Sequence, residues 1–219
     1  FNLFADHAQL KIFEQYFYDL EQRQRAIGNE LDYGDIVSKL EEKISMFERV
    51  DHFVGVQPSG EVLVSTNISG LHKLGGVKVK YGVSGSYINA DKIPSNELNK
   101  YVNSPLAAPS KSNPVYTKYS SVGDSLKIKV FPAPVEAGDA VNVDYIAKPL
   151  NPNWTYFISG NNALYNPNGV NHRDFELHGS EENNLVVKIL QLAGVAIKDF
   201  NLVQAVGQKE VNTIQQQKQ

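Results

Sequence analysis

The chain has 219 residues and no cysteine, so it can bury a full core without staples and cannot use disulfides, thiolate metal sites or a cysteine nucleophile. Charged residues make up 21% and the net charge is −3, a balance that offers no global basic surface to nucleic acid. No apolar run reaches the roughly 18 residues that a spanning helix needs, and the chain opens on Phe1, as a piece of a longer protein would.

Charge and proline are unevenly spread. Residues 1–50 carry six basic and ten acidic side chains, while all ten prolines fall within 51–180. The composition predicts helical ends around a loop-rich β region: a helical segment over 1–50, an antiparallel β domain over 51–180, and C-terminal helices with a Gln-rich tail over 181–219. The expected fold class is α+β.

In chain order, Leu10, Phe13, Phe17 and Leu20 recur at the spacing of one helical face, widened by Ile12 and Tyr16. Gly28-Asn29 is a helix stop. A second helix is expected from Asp35 to Val50, with Val37, Leu40, Ile44 and Phe47 as its apolar stripe, forming an antiparallel hairpin with the first. The period then falls to two. Val77, Val79 and Tyr81 alternate with Lys78 and Lys80; Leu126, Ile128 and Val130 alternate with Lys127 and Lys129; Val141, Val143 and Tyr145 alternate with Asn142 and Asp144. Val62–Val64 is a further strand, and a short helix is expected at Ser95–Lys100. With no helix-length crossover, antiparallel pairing follows. Residues 103–114 (NSPLAAPSKSNP) form a Pro-rich arm long enough to suggest a contact role. Ser180 followed by Glu181 and Glu182 predicts a helix start whose buried face is Leu185, Val186, Ile189, Leu190 and Ala193, broken at Gly194 or at Lys198-Asp199. A last helix from Asp199 places Val203, Gly207, Val211 and Ile214 on one stripe before the Gln-rich tail.

Three patterns bear on chemistry. In His172-Arg173-Asp174-Phe175-Glu176-Leu177-His178, an extended chain would put two imidazoles and two carboxylates on one face, a donor set for zinc or manganese. The bland reading, a polar segment leading into the next helix, is preferred because neighbouring strand positions seldom converge on a metal. The lysine rows are a basic surface or, more simply, solvated strand faces. Trp154 with Tyr156 and Phe157 is either a sugar platform or an anchor at the end of the β region. No G-x-S-x-G or Walker pattern is present, and the string Gly82-Val83-Ser84-Gly85-Ser86 opens no long helix.

Several strings carry a resemblance. FNLFADHAQLKIFEQYFYDLEQ, LDYGDIVSKLEEKISMFE, ELNKYVNSPLAAPSKSNPVY, LKIKVFPAPV, VNVDYIAKPLNPNW and DFELHGSEENNLVVKILQLAGVAIKD resemble, in the same order and over nearly the whole chain, a virion structural protein of crAss-like and related Bacteroidetes tailed phages. Such proteins carry further residues ahead of the FNLF string. The resemblance implies a non-enzymatic ring or adaptor subunit of the head-to-tail connector, made in the host cytoplasm and incorporated in the virion. It implies self-association into a dodecameric ring matching the portal, contacts with portal and adjacent tail rings, transient passage of DNA, no membrane and no cofactor, metal or catalytic residue. The residues expected at protein contacts are Leu106 and Pro109 on the arm and Val203, Val211 and Ile214 at the C-terminus. The alternative is a tail-tip β module that binds a receptor or carbohydrate.

Overall fold

A computed structural model describes residues 1–25, 31–55, 61–63, 68, 70–121, 125–197, 204–209 and 211. The fold is α+β, as expected. The chain divides into two compact units, Phe47–Lys148 and the pair of segments Phe1–Met46 and Pro149–Gln219.

The first unit is built from strands β1 (Glu48–Val54), β2 (Glu61–Leu63), β3 (Leu71–Lys80), β4 (Tyr87–Asn89), β5 (Asp91–Lys92), β6 (Val115–Ser121), β7 (Ser125–Phe131) and β8 (Ala140–Ala147). They form two four-stranded sheets, ordered β1-β8-β3-β4 and β2-β7-β6-β5. All pairings are antiparallel except β5 with β6. Alternation does the folding work here. Val54, Val77, Val79, Val141 and Val143 from one sheet meet Tyr116, Ile128 and Val130 from the other in one buried core, completed by Ile68. This is a sandwich, because each sheet is apolar on one face only. The chain changes sheets at Ala90, whose N–H donates to Val77 O at 2.8 Å before Asp91 N–H donates to Pro114 O at 3.0 Å. Tyr81, expected in a strand, lies just past β3. Val64 lies outside the described residues.

The second unit holds α1 (Asn2–Arg25), α2 (Leu31–Ser45), the hairpin β9 (Tyr156–Ser159) and β10 (Asn162–Tyr165), and α4 (Glu182–Ile197); α3 (Leu98–Val102) is a short helix of the sandwich unit. α1 packs on both α2 and α4. Its buried face is Ala5, Ala8, Gln9, Ile12, Phe13 and Tyr16. The expected stripe through Leu10, Phe17 and Leu20 is only half-buried, because two alanines and a glutamine permit closer packing one step round the helix. The second helix ends at Ser45, before Phe47 and Val50, which belong to the start of the sandwich. The Gly28-Asn29 stop lies outside the described residues.

The unit boundaries also fall away from 50/51 and 180/181. Residues 149–180 join the helical segments because Gln9, buried on α1, holds two of them. Its Nε2 donates to Leu150 O at 2.8 Å, and its Oε1 accepts from Glu176 N–H at 2.9 Å. The C-terminal start signal is also displaced. Ser180 lies in a 3-10 turn (Gly179–Glu181) capped by His178, and α4 begins at Glu182. On α4, Leu185 is buried and Ile189 and Ala193 are half-buried, but Val186 and Leu190 are exposed. Gly194 is buried within the helix and does not break it.

Candidate functional site

The most elaborate surface site lies in the helical unit, around Trp154. Backbone and amide groups fix the indole. Asn153 and Arg173 pair as an isolated antiparallel bridge, with N–H to O distances of 2.9 and 3.1 Å. Asn2 Nδ2 donates to Asn153 Oδ1 at 2.7 Å, and Trp154 N–H donates to Asn2 Oδ1 at 3.0 Å. Asn153 Nδ2 donates to Asn171 O at 2.8 Å, where Asn171 holds a φ of 69°, a conformation that asparagine tolerates. Thr155 and Asn166 then tie off the base of the hairpin, with Thr155 Oγ1 donating to Asn166 O and Asn166 N–H to Thr155 O.

On this frame the rings gather. Tyr156 and Tyr165 are cross-strand partners and so share one hairpin face. Trp154 lies nearly parallel to both, at 5.4 Å and 20° to Tyr156 and at 6.3 Å and 14° to Tyr165. Phe1 meets the indole edge-on at 6.0 Å. Beside them opens a cavity of about 260 Å³ whose walls are Phe1, Pro152, Trp154, Tyr165, His172, Arg173, Asp174 and Phe175. His172 Nε2 lies 3.1 Å from the Tyr165 hydroxyl and 3.2 Å from Asp174 Oδ1.

The His172–His178 string does not converge. His172 and Asp174 face the aromatic cavity, Glu176 Oε2 accepts from Leu150 N–H at 2.8 Å, and His178 Nδ1 accepts from Ser180 N–H at 3.3 Å. Each has separate local work, and among the described residues no three His, Asp or Glu gather as a metal set.

The Pro-rich arm is ordered where it meets the end of the sandwich. Lys111 Nζ pairs with Glu136 Oε2 at 3.1 Å and stands 5.8 Å over the Tyr81 ring. The Tyr81 hydroxyl donates to Pro132 O at 2.7 Å, and burial, reinforced by the Asp139 charge, pushes that phenol up to about 12. Asp139 accepts from Gly82 N–H at 2.7 Å and from Glu136 N–H at 3.0 Å, so the two turns share one carboxylate. Gly138, at φ 93°, lies so close to Val83 that any side chain there would collide with Val83 backbone. Leu106 stands fully exposed at the tip of the arm, and Pro109 is half-buried. Val211 is exposed; Val203 and Ile214 lie outside the described residues.

The lysine rows do not merge into one basic surface. Lys78 lies on the outer face of one sheet, opposite its core residues, and Lys127 and Lys129 on the outer face of the other. Lys78 is also neutralised. Its Nζ lies 2.8 Å from Asp51 Oδ1 and 3.1 Å from Asp144 Oδ2, and those hydrogen bonds, Asp51 foremost, hold its pKa above the ordinary lysine value.

Two polar residues whose buried role sequence reading did not foresee organise the helical unit. Gln9 is one. The other is Glu181, which is buried and accepts from Lys43 Nζ at 2.6 Å and from Asn184 Nδ2 at 2.7 Å. Burial, with the Glu181 charge behind it, raises the neighbouring Tyr16 phenol well above its usual range. No sequence signal distinguishes Gln9 from its exposed neighbours, whereas Trp154 and Tyr156 stand out as aromatics after a Pro-rich stretch.

Large apolar side chains remain outside. All eight residues of β9 and β10 are exposed, including Phe157 and Leu164, which share the hairpin face opposite Tyr156 and Tyr165. On α4, Val186, Leu190 and Ile197 repeat at i, i+4 and i+11, and Ile197 is 74% exposed. No helix of the described residues is long and apolar enough to cross a membrane. No protein-family model matches the chain, and no curated protein does so.

Proposed function

We propose that the chain is a structural virion subunit, a ring or adaptor protein of the head-to-tail connector of a tailed phage. The observation that carries the reading is a pair of apolar faces in the helical unit left uncovered by the described residues: the Phe157–Leu164 side of a hairpin that pairs with no third strand among them, and the Val186–Leu190–Ile197 stripe of α4. A two-stranded hairpin is marginal in water by itself, and contiguous exposed apolar surface marks contact sites. Two different sticky surfaces on one subunit are what a heterologous contact needs, and such contacts close into rings when the rotation permits. The resemblance of the sequence strings supplies the virion and the portal as the setting. The exposed Leu106 arm is a third contact candidate on the sandwich unit. A net charge of −3, with Lys78 tied to two aspartates, suits a passage through which DNA moves without being gripped.

The test is native mass spectrometry of the full chain mixed with the portal protein encoded beside it. A portal ring carrying a fixed multiple of the chain, a dodecamer on this reading, is expected. Leu190→Glu and Phe157→Glu should each reduce the bound copies. Absence of any complex, or full binding by both variants, would overturn the connector role.

A further inference from the structure

We propose that the cavity beside Trp154 is a saccharide site that takes one or two pyranose rings of a glycan. The inference is independent of the ring reading, because it uses the opposite face of the hairpin from Phe157 and Leu164.

Shape comes first. The cavity holds about 260 Å³, somewhat below the roughly 300–1,000 Å³ of sites for drug-sized ligands. Two of the lining residues are aromatic rings, Trp154 and Tyr165, within 14° of parallel. A pyranose presents a C–H face that packs on such a plane, gaining apolar contact and weak C–H donation to the ring face.

Polar chemistry chooses the class. The polar residues of the lining are His172, Arg173 and Asp174. Asp174 is acceptor-only when ionised and stands 3.2 Å from His172 Nε2, within hydrogen-bond reach of it. His172 Nδ1 is buried with no hydrogen-bond partner among the described residues, an unmet polar atom on a residue that lines the cavity. Asp174 is 87% exposed and keeps its second oxygen for hydroxyl donors, while Arg173 supplies donors to ring or hydroxyl oxygens. Hydroxyl groups both donate and accept, and this lining offers both in near-neutral balance. A quaternary ammonium, the other ligand of aromatic cages, would face Arg173 at the mouth. A phosphate would face Asp174.

The site is also held in advance. The Asn153–Arg173 bridge and the two amide contacts of Asn2 fix Trp154 relative to the polar lining before any ligand arrives, which lowers the ordering cost of binding.

Trp154 is the single tryptophan of the chain, so its emission reports this site without background. The full chain is titrated with cellotriose, maltotriose, chitotriose and mannotriose, each to tens of millimolar, with choline chloride as the cationic comparison. A saturable change with at least one trisaccharide is expected. Asp174→Ala, a change at an exposed side chain, should weaken that midpoint by about tenfold, the loss of one charge-assisted hydrogen bond. Arg173→Gln, in the same lining, is the second variant and should weaken it too. The proposal is overturned by the absence of a saturable response to all four sugars, by a response to choline alone, or by midpoints unmoved in both variants.

Discussion

The sandwich unit and the helical unit solve the burial problem in opposite ways. In the sandwich, eight apolar side chains from two sheets close on one another with Ile68, and the charged residues stay on the outer faces. In the helical unit, buried polar groups are structural pins: Gln9 joins two backbone segments, and Glu181 receives Lys43 and Asn184. Yet that unit leaves Phe157, Leu164, Leu190 and Ile197 in solvent. The sandwich gathers most of its sheet hydrophobicity inward, where it specifies one fold, although Phe53, Val83 and Leu106 stay exposed. The helical unit keeps much of its own for the outside, where a partner can use it.

This contrast can be broken by substitution, with Trp154 emission reading the helical unit. The largest effect is expected at the centre of the sandwich. Ile128→Ala should cost about 2–5 kcal/mol in chemical denaturation, through lost transfer energy and the cavity left behind. Next comes Gln9→Leu, which removes the partner of the part-buried Leu150 O and Glu176 N–H and should cost roughly 1–2 kcal/mol, seen first in Trp154 emission. If the helical unit were held by apolar contact as the sandwich is, this change would be nearly neutral.

Lys43→Met is expected to cost roughly 1–2 kcal/mol, less than a fully buried pair because the lysine is partly solvated. Adding Glu181→Leu should restore most of that loss, since the stranded carboxylate is then gone. Alkaline titration sharpens the comparison on the sandwich side. Burial raises Tyr81 and Tyr119 from an ordinary 10.0 to about 12, with Asp139 and Glu61 assisting. The unfolded chain therefore loses these protons first. Their stabilisation is intact below pH 10 and drains away as pH rises toward 12. Tyr81→Phe should flatten the fall of the melting temperature across that window. The smallest effect belongs to Lys111→Ala at the exposed Lys111–Glu136 pair, within about 0.5 kcal/mol on thermal melting.

How much of this was legible follows the same division. Period-two alternation located β3, β7 and β8 and named Val77, Val79, Ile128, Val130, Val141 and Val143 as their inward faces, because a strand with one wet face declares itself in sequence. The split into two facing sheets, and the parallel β5–β6 pair, depend on contacts between distant segments and left no local mark. Helix α1 was legible as a helix but not in its rotation: Ala5, Ala8 and Gln9 read as neutral, and only tertiary packing selects them over Leu10 and Leu20. The unit boundary near 148 was hidden for the same reason, since Gln9 captures residues 150 and 176 through hydrogen bonds that hydropathy does not register. At the candidate site, Trp154 and Tyr156 were visible as an aromatic pair. The joining of Trp154 to the His172–Asp174 segment rests on the Asn153–Arg173 bridge, a pairing twenty residues long in sequence and invisible to any short pattern.

The chain enters the sandwich at Phe47 and leaves it at Lys148, through β1 and β8, which are hydrogen-bonded neighbours. Ala147 N–H donates to Phe47 O at 2.9 Å, so the two cut points are about one strand spacing apart. Such adjacent ends are the geometry in which one domain is tolerated as an insert within another. To the helical unit the entire sandwich is a loop already closed. A short turn joining residue 46 to residue 149 would excise it at little entropic cost, and a different β module with neighbouring ends could be spliced into the same gap.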